Sequence, residues 1–282
     1  MSRGSSPDDP GADDARADDP TDPVLRADSV VLGYGDGPVV ADESLSIPAG
    51  AITALVGPNG SGKSTLLASL AGQHAPADGA VYLDGAAVHE FDSKALARRL
   101  GLLAQDNTAP GALTVQQLVE KGRYPYQGFL DRLDAEDRAA VDRAVDLVGI
   151  DALRERPVGE LSGGQAQLAW LATTLAQEPD VLLLDEPTTY LDVHHQLRVL
   201  DAVERLHAER DTTVVLVLHD IEQAARRADE LRVIADGAVV DRGTPETVLT
   251  ESLLADVFGV DATVEHVDGD VRVHARRALD SA

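Results

Sequence analysis

The sequence predicts an α/β domain with a largely parallel central sheet, and three observations carry that expectation. Short apolar runs at Ala51–Val56, Val181–Leu184 and Thr213–Leu218 have the length of buried strands. Each run leads into a helical stretch, the alternation that builds a parallel sheet. A glycine-rich segment occupies the junction between the first run and its helix, where such sheets place ligands.

Taken in order, residues 1–22 come first, with Asp8, Asp9, Asp13, Asp14, Asp18, Asp19 and Asp22 among Pro, Ser and Gly. So little apolar surface cannot offset the entropy of ordering, and the segment is expected to be a disordered acidic tail. Alternating patterns then begin near Val24 and run through Val39–Ile47, turning at Gly35-Asp36-Gly37-Pro38. Ala51–Val56 reads as a buried strand, with a helix starting at Lys63. Residues from about 107 to 164 show helical periodicity, clearest over Ala135–Val148, and no convincing strand. They are expected to form a helical subdomain inserted into the sheet domain. Two hairpins are expected after Asp229, turning at Asp236-Gly237 and Asp268-Gly269. The expected organisation is a tail over 1–22, one domain over 23–260 and a C-terminal extension over 261–282. No internal repeat is evident.

Composition narrows the partners. The formal net charge of −25 over 282 residues opposes the phosphate neutralisation that nucleic-acid binding requires. Lys63, Lys94 and Lys121 are the only lysines among 24 cationic residues. Acidic excess with few lysines suggests a proteome adapted to high salt, where self-repulsion is screened. An ordinary acidic, GC-biased protein is the alternative; it would keep its fold equally well in dilute buffer and in molar KCl. Cysteine is absent, which excludes disulfides and cysteine-ligated metal. No apolar stretch is long enough to cross a bilayer, and no basic flank precedes an apolar N-terminal segment. Any membrane link is therefore expected to come through a partner.

The chemistry begins at Gly57-Pro58-Asn59-Gly60-Ser61-Gly62-Lys63-Ser64, which fits the phosphate-binding P-loop pattern and opens a helix straight after a strand. Glycines let the backbone wrap closely, so N–H groups and the helix N-terminus face the phosphates. Lys63 offers its charge to the β- and γ-phosphates, and Ser64 its hydroxyl to Mg²⁺. About 120 residues on, Val181–Leu184 ends in Asp185-Glu186 at the carboxyl end of a strand. Asp185 suits the Mg²⁺ shell, and Glu186 suits a base or orienter for an attacking water. Leu161-Ser162-Gly163-Gly164-Gln165, just ahead of an apolar helix, offers a second helix start able to cradle phosphate. Standing alone it would be no more than a glycine-bearing helix cap.

With these three motifs together, residues 24–260 resemble the ATP-binding subunits of ABC transporters. The resemblance implies a P-loop ATPase fold with an antiparallel β subdomain beside the central sheet and the inserted helical one. It implies ATP and Mg²⁺ as cofactors, with Thr65 completing the phosphate loop. Tyr34 stands where an aromatic stacks on adenine, and Gln105 where a glutamine senses Mg²⁺ and contacts the permease. Tyr190-Leu191-Asp192 corresponds to a loop that crosses to the other subunit, and His219 to a histidine on the γ-phosphate. Without the family, Tyr34 reads as turn packing, Gln105 as a surface amide and His219 as a helix cap. The catalytic set implied is Glu186, His219 and Lys63. The assembly implied is a head-to-tail dimer, each ATP lying between the P-loop of one copy and Ser162–Gln165 of the other. The family usually carries basic residues near positions 166 and 168, where this chain has Ala166 and Leu168; the helix surface there is expected to differ.

Lys121-Gly122-Arg123-Tyr124-Pro125-Tyr126 and Glu186–Asp192 continuing to His195-Gln196 are similar to ATPases for ferric siderophores, haem and cobalamin. That likeness implies an importer subunit on the cytoplasmic face of the membrane, with separate permease chains and an external binding protein. A soluble ABC ATPase for iron–sulfur cluster assembly is the rival. His194-His195 are adjacent on a helix and diverge by about a hundred degrees, which suits a helix start near the dimer contact better than a metal pair. Trp170 reads as packing, Asp134–Asp142 as a charged helix face, and His74, His89, His207, His266 and His274 as solvated.

Overall fold

The computed structural model describes residues 23–35, 37–108, 110–128, 132–267 and 269–279. The acidic segment 1–22 and the turn residues Asp36 and Asp268 lie outside the described residues. Strands β1 (Pro23–Gly33) and β2 (Pro38–Pro48) precede β3 (Ile52–Val56), helix α1 (Lys63–Leu70), β4 (Asp78–Leu83) and β5 (Ala86–Ala87). Next come α2 (Ser93–Arg99), β6 (Leu100–Leu103), α3 (Val115–Glu120), α4 (Ala135–Val148) and α5 (Gly163–Leu175). The chain continues through β7 (Val181–Asp185), α6 (Val193–Arg210), β8 (Thr213–Val217), α7 (Ile221–Arg227), β9 (Glu230–Ala235) and β10 (Ala238–Gly243). Two short helices, α8 (Pro245–Val248) and α9 (Glu251–Phe258), lead to a final hairpin, β11 (Val260–Val267) and β12 (Asp270–Ala278).

The central sheet runs β10-β9-β3-β8-β7-β6, parallel except for β10 at one edge. A separate antiparallel sheet has the order β2-β1-β4-β5. The unbroken apolar runs follow from this layering, because the middle strands are covered on both faces. Successive side chains point to opposite faces, and they divide accordingly. Ala54, Leu182, Leu184, Val214 and Leu216 join a core with α3, α4, α5 and α6. Leu55, Val181, Leu183, Val215 and Val217 join another with α1, β1, β2 and β4.

The helical stretch is present, with a 3₁₀ turn over Lys121–Tyr126 and one isolated bridge, Thr114 to Pro157. Arg123 in that turn is 3% exposed; its Nε donates to Asp137 Oδ1 at 2.9 Å and its Nη1 to the Ala176 carbonyl at 2.8 Å. The Asp134–Asp142 run is therefore not only a solvated face. Asp134 caps α4, and Asp137 turns inward to the buried arginine. Leu168 is likewise fully buried, so a basic residue's absence there changes the core and not a surface. His207 also departs from the solvated expectation, its Nδ1 lying 3.0 Å from the Thr212 carbonyl. The last hairpin packs on α7, where the Val273 N–H donates to Glu222 Oε1, and Val271 joins the larger core.

Candidate functional site

Strand order builds the site. Neighbouring parallel strands β3, β8, β7 and β6 end along one edge of the sheet. The phosphate loop follows β3, His219 follows β8, Asp185-Glu186 closes β7, and Gln105 follows β6. Four stretches far apart in sequence meet in a row because adjacent strands lie about 5 Å apart. The cavity at this edge measures about 360 Å³ and is lined by Asn59, Gly60, Ser61, Gly62, Lys63, Ser64, Thr65, Gln105, Glu186 and His219. Val39, Thr189 and Tyr190 complete the lining.

The loop conformation needs its glycines. Gly57 has φ +150, and a Cβ there would stand 1.9 Å from the Ile234 carbonyl oxygen. Gly62, φ +100, precedes the first turn of α1. Lys63 is 5% exposed; its Nζ donates to the carbonyls of Gly57 at 2.9 Å and Pro58 at 2.7 Å. Burial lowers its pKa, against the opposing pull of the Glu186 and Asp185 charges. The Ser64 hydroxyl donates to Asp185 Oδ1 at 2.9 Å. Burial raises the Asp185 pKa, helped by the Glu186 charge and opposed by the Ser64 bond.

Glu186 is the hub. Its Oε2 accepts from Gln105 Nε2 at 2.8 Å and from the Thr189 hydroxyl at 3.1 Å. Its Oε1 lies 2.6 Å from His219 Nε2. The residue has φ +48, unusual without glycine, and its N–H donates to the Val217 carbonyl. A carboxylate so fixed from three sides at a cavity wall can orient a water and take its proton.

A family model described as "ABC transporter" matches residues 40–189. The chain belongs to that family. This ABC ATPase is 45% identical to the ferric enterobactin transport ATP-binding protein FepC of Escherichia coli, over 84% of this chain and 87% of that one. It is 43% identical to the cobalamin import ATP-binding protein BtuD of Halobacterium salinarum, over 78% of this chain and 55% of that one. Among solved structures, a dimeric bacterial ABC transporter cassette superposes with TM-score 0.70 at 27% identity, over 78% of this chain and 98% of that one. The same cassette is known in a dimeric post-hydrolysis state bound to ADP and Pi.

The remaining expected residues of the ABC ATPase lie outside this cavity in the single chain. Ser162 caps α5, its hydroxyl accepting from the Gln165 N–H while Gln165 Oε1 accepts from the Ser162 N–H. Gly163 is exposed beside them, and Leu161 packs partly buried against the core. Asp192 caps α6 through the His195 N–H. Tyr34 is 59% exposed, its ring centroid 4.7 Å from that of His74. Thr189 was not singled out from sequence; its place three residues after Glu186 was the available signal. Among the described residues no group of three His, Cys, Asp or Glu converges on a metal position, and His194-His195 lie in the first turn of α6. A cation beside Ser64 and Asp185 would thus depend on hydroxyl, carboxylate and phosphate oxygens.

Proposed function

We propose that this ABC ATPase powers uptake of a metal chelate, a ferric siderophore, haem or cobalamin, through permease chains in the membrane, with an external binding protein delivering the cargo. The observation that carries its catalytic part is the Glu186 carboxylate, held by Gln105, Thr189 and His219 in the phosphate-loop cavity. The names of relatives serving enterobactin and cobalamin import favour an importer over an iron–sulfur cluster ATPase. Among the described residues no helix is long and apolar enough to cross a membrane, so a separate spanning chain fits this reading.

In this reading, Lys63 exchanges the Gly57 and Pro58 carbonyls for phosphate oxygens, a gain its burial strengthens. The oxygen donors of Ser64, Asp185 and Gln105 suit Mg²⁺, which when bound neutralises charge on the phosphates. Glu186 orients the attacking water and accepts its proton, and His219 holds Glu186 and the γ-phosphate end. Tyr34 covers the adenine. Ser162–Gln165 of a second copy close the cavity from the other side, and Asp192 lies at that contact. The exposure of Tyr190, at 97%, and of Val193 and Leu197 nearby supports burial of this surface between copies. The subunit is then peripheral, on the cytoplasmic face of the membrane.

Affinity purification from solubilised membranes tests the importer. A polytopic permease should accompany the subunit, and reconstituted vesicles should accumulate chelate only with ATP. Recovery of a soluble scaffold and no permease would refute it.

A further inference from the structure

His195 has no part in the chemistry above, yet it joins two functional segments of the same chain. Its Nδ1 lies 2.9 and 3.0 Å from the two carboxylate oxygens of Asp192. Its ring packs against Gly164 so closely that a Cβ there would stand 2.5 Å from His195 Cγ and 2.6 Å from Cδ2. The ring is therefore wedged between the glycine-rich start of α5 and the loop running from Glu186 to Asp192. Other amides brace the same loop. Gln167 on α5 donates to the Pro187 carbonyl, and Gln196 on α6 donates to the Leu191 carbonyl. Gln223, on the helix that follows His219, donates to Gln196. At the loop's other end, Thr189 is bonded to Glu186 through both its N–H and its hydroxyl.

The geometry points to His195 as a positioning residue that couples the two ATP sites of the dimer. It does so by tying the loop after Glu186, at a copy's own nucleotide, to the Ser162–Gln165 turn that the copy lends to its partner's nucleotide. This rests on the two-copy ATPase proposed above. A contiguous chain of contacts alone is a spatial argument; coupling requires that both sites bias one element. Here the biased element is the loop 187–192 with the start of α5, locked together by the ring on Gly164 and the bond to Asp192. When Glu186 shifts with its nucleotide, Thr189 moves the loop, and His195 carries that movement to Gly164. Without the side chain, the Gln167 bond to the Pro187 carbonyl still ties α5 to the loop, and the coupling between the sites weakens.

The test is cooperativity of ATP hydrolysis by the full-length protein. His195→Ala should bring a Hill coefficient above 1 down towards 1, a loss of at least about fivefold in coupling between sites. Nucleotide affinity of the isolated subunit should stay within about twofold, since His195 does not line the cavity. A residue that merely packs would lower thermal stability and leave the Hill coefficient alone. Should the alanine variant fail to fold, His195→Phe retains a ring on Gly164 without the Asp192 bond, and His195→Asn retains a donor to Asp192 without the ring. Each should also lose cooperativity. A wild-type Hill coefficient of about 1, or folded variants with undiminished cooperativity, overturns the inference. If Glu186→Gln forms no ATP-dependent dimer, the two-copy reading itself has failed.

Discussion

Replacing Glu186 with Gln removes one charge and little else, which makes it the sharpest probe of the site. The glutamine oxygen can take the Oε2 position and keep accepting from Gln105 and Thr189. Its amide nitrogen then faces His219 Nε2, which can accept in its neutral tautomer. Packing and hydrogen bonds survive, so stability should change by no more than about 1 kcal/mol. The lost group is the proton acceptor, and positioned general bases contribute about 10²–10⁴-fold. Turnover should fall by at least about a hundredfold, equivalent to about 2.7 kcal/mol of barrier. The assay is phosphate release at saturating Mg-ATP, with gel filtration in ATP beside it. ATP should bind nearly as before, and the variant should accumulate as a dimer. Turnover within about tenfold of wild type would refute the assignment of Glu186.

Lys63→Ala should weaken ATP binding by at least about tenfold, the worth of a charged hydrogen bond, as read by titration calorimetry. The lowered Lys63 pKa means that the folded state holds the proton less tightly than the unfolded chain, so the charge itself costs stability at neutral pH, while its bonds to the Gly57 and Pro58 carbonyls act the other way. Arg123→Ala strands Asp137 without its buried partner, while Glu178 keeps Arg143 and Arg210, and should cost about 3–5 kcal/mol. Calorimetry should show a drop in midpoint of roughly 6–20 °C. Burial pushes the Glu178 pKa up, but the Arg143 hydrogen bond and the charges of Arg210, Arg143 and Arg123 outweigh it and leave it below 4.5. This carboxylate thus stabilises the fold above about pH 4.5, and the benefit is lost as pH falls through the depressed value. Glu178→Gln should flatten that part of the acid-denaturation curve.

Local signals were enough wherever one stretch of chain makes its own structure. The runs at β3, β7 and β8 announce covered strands because they are apolar at every position. The glycine spacing of residues 57–64 announces a phosphate loop because only that backbone wraps so tightly. The Asp236-Gly237 turn was equally legible, since type I′ hairpins need positive φ at both positions. By contrast, β4 exists as a strand through its pairing with β1, and nothing local compels it. Arg123 and Asp137 could be read only as a motif residue and a member of a charged run, because their partnership spans two helical segments. The strand–loop–helix chemistry and the identity of the acids and the lysine are thus encoded locally along the chain. The convergence of His219, Gln105 and Thr189 on one carboxylate, and the seat of His195 on Gly164, exist only in the folded chain. Those contacts depend on strand order and on how helices pack, and no periodicity along the chain encodes the distance between residues that only folding brings together.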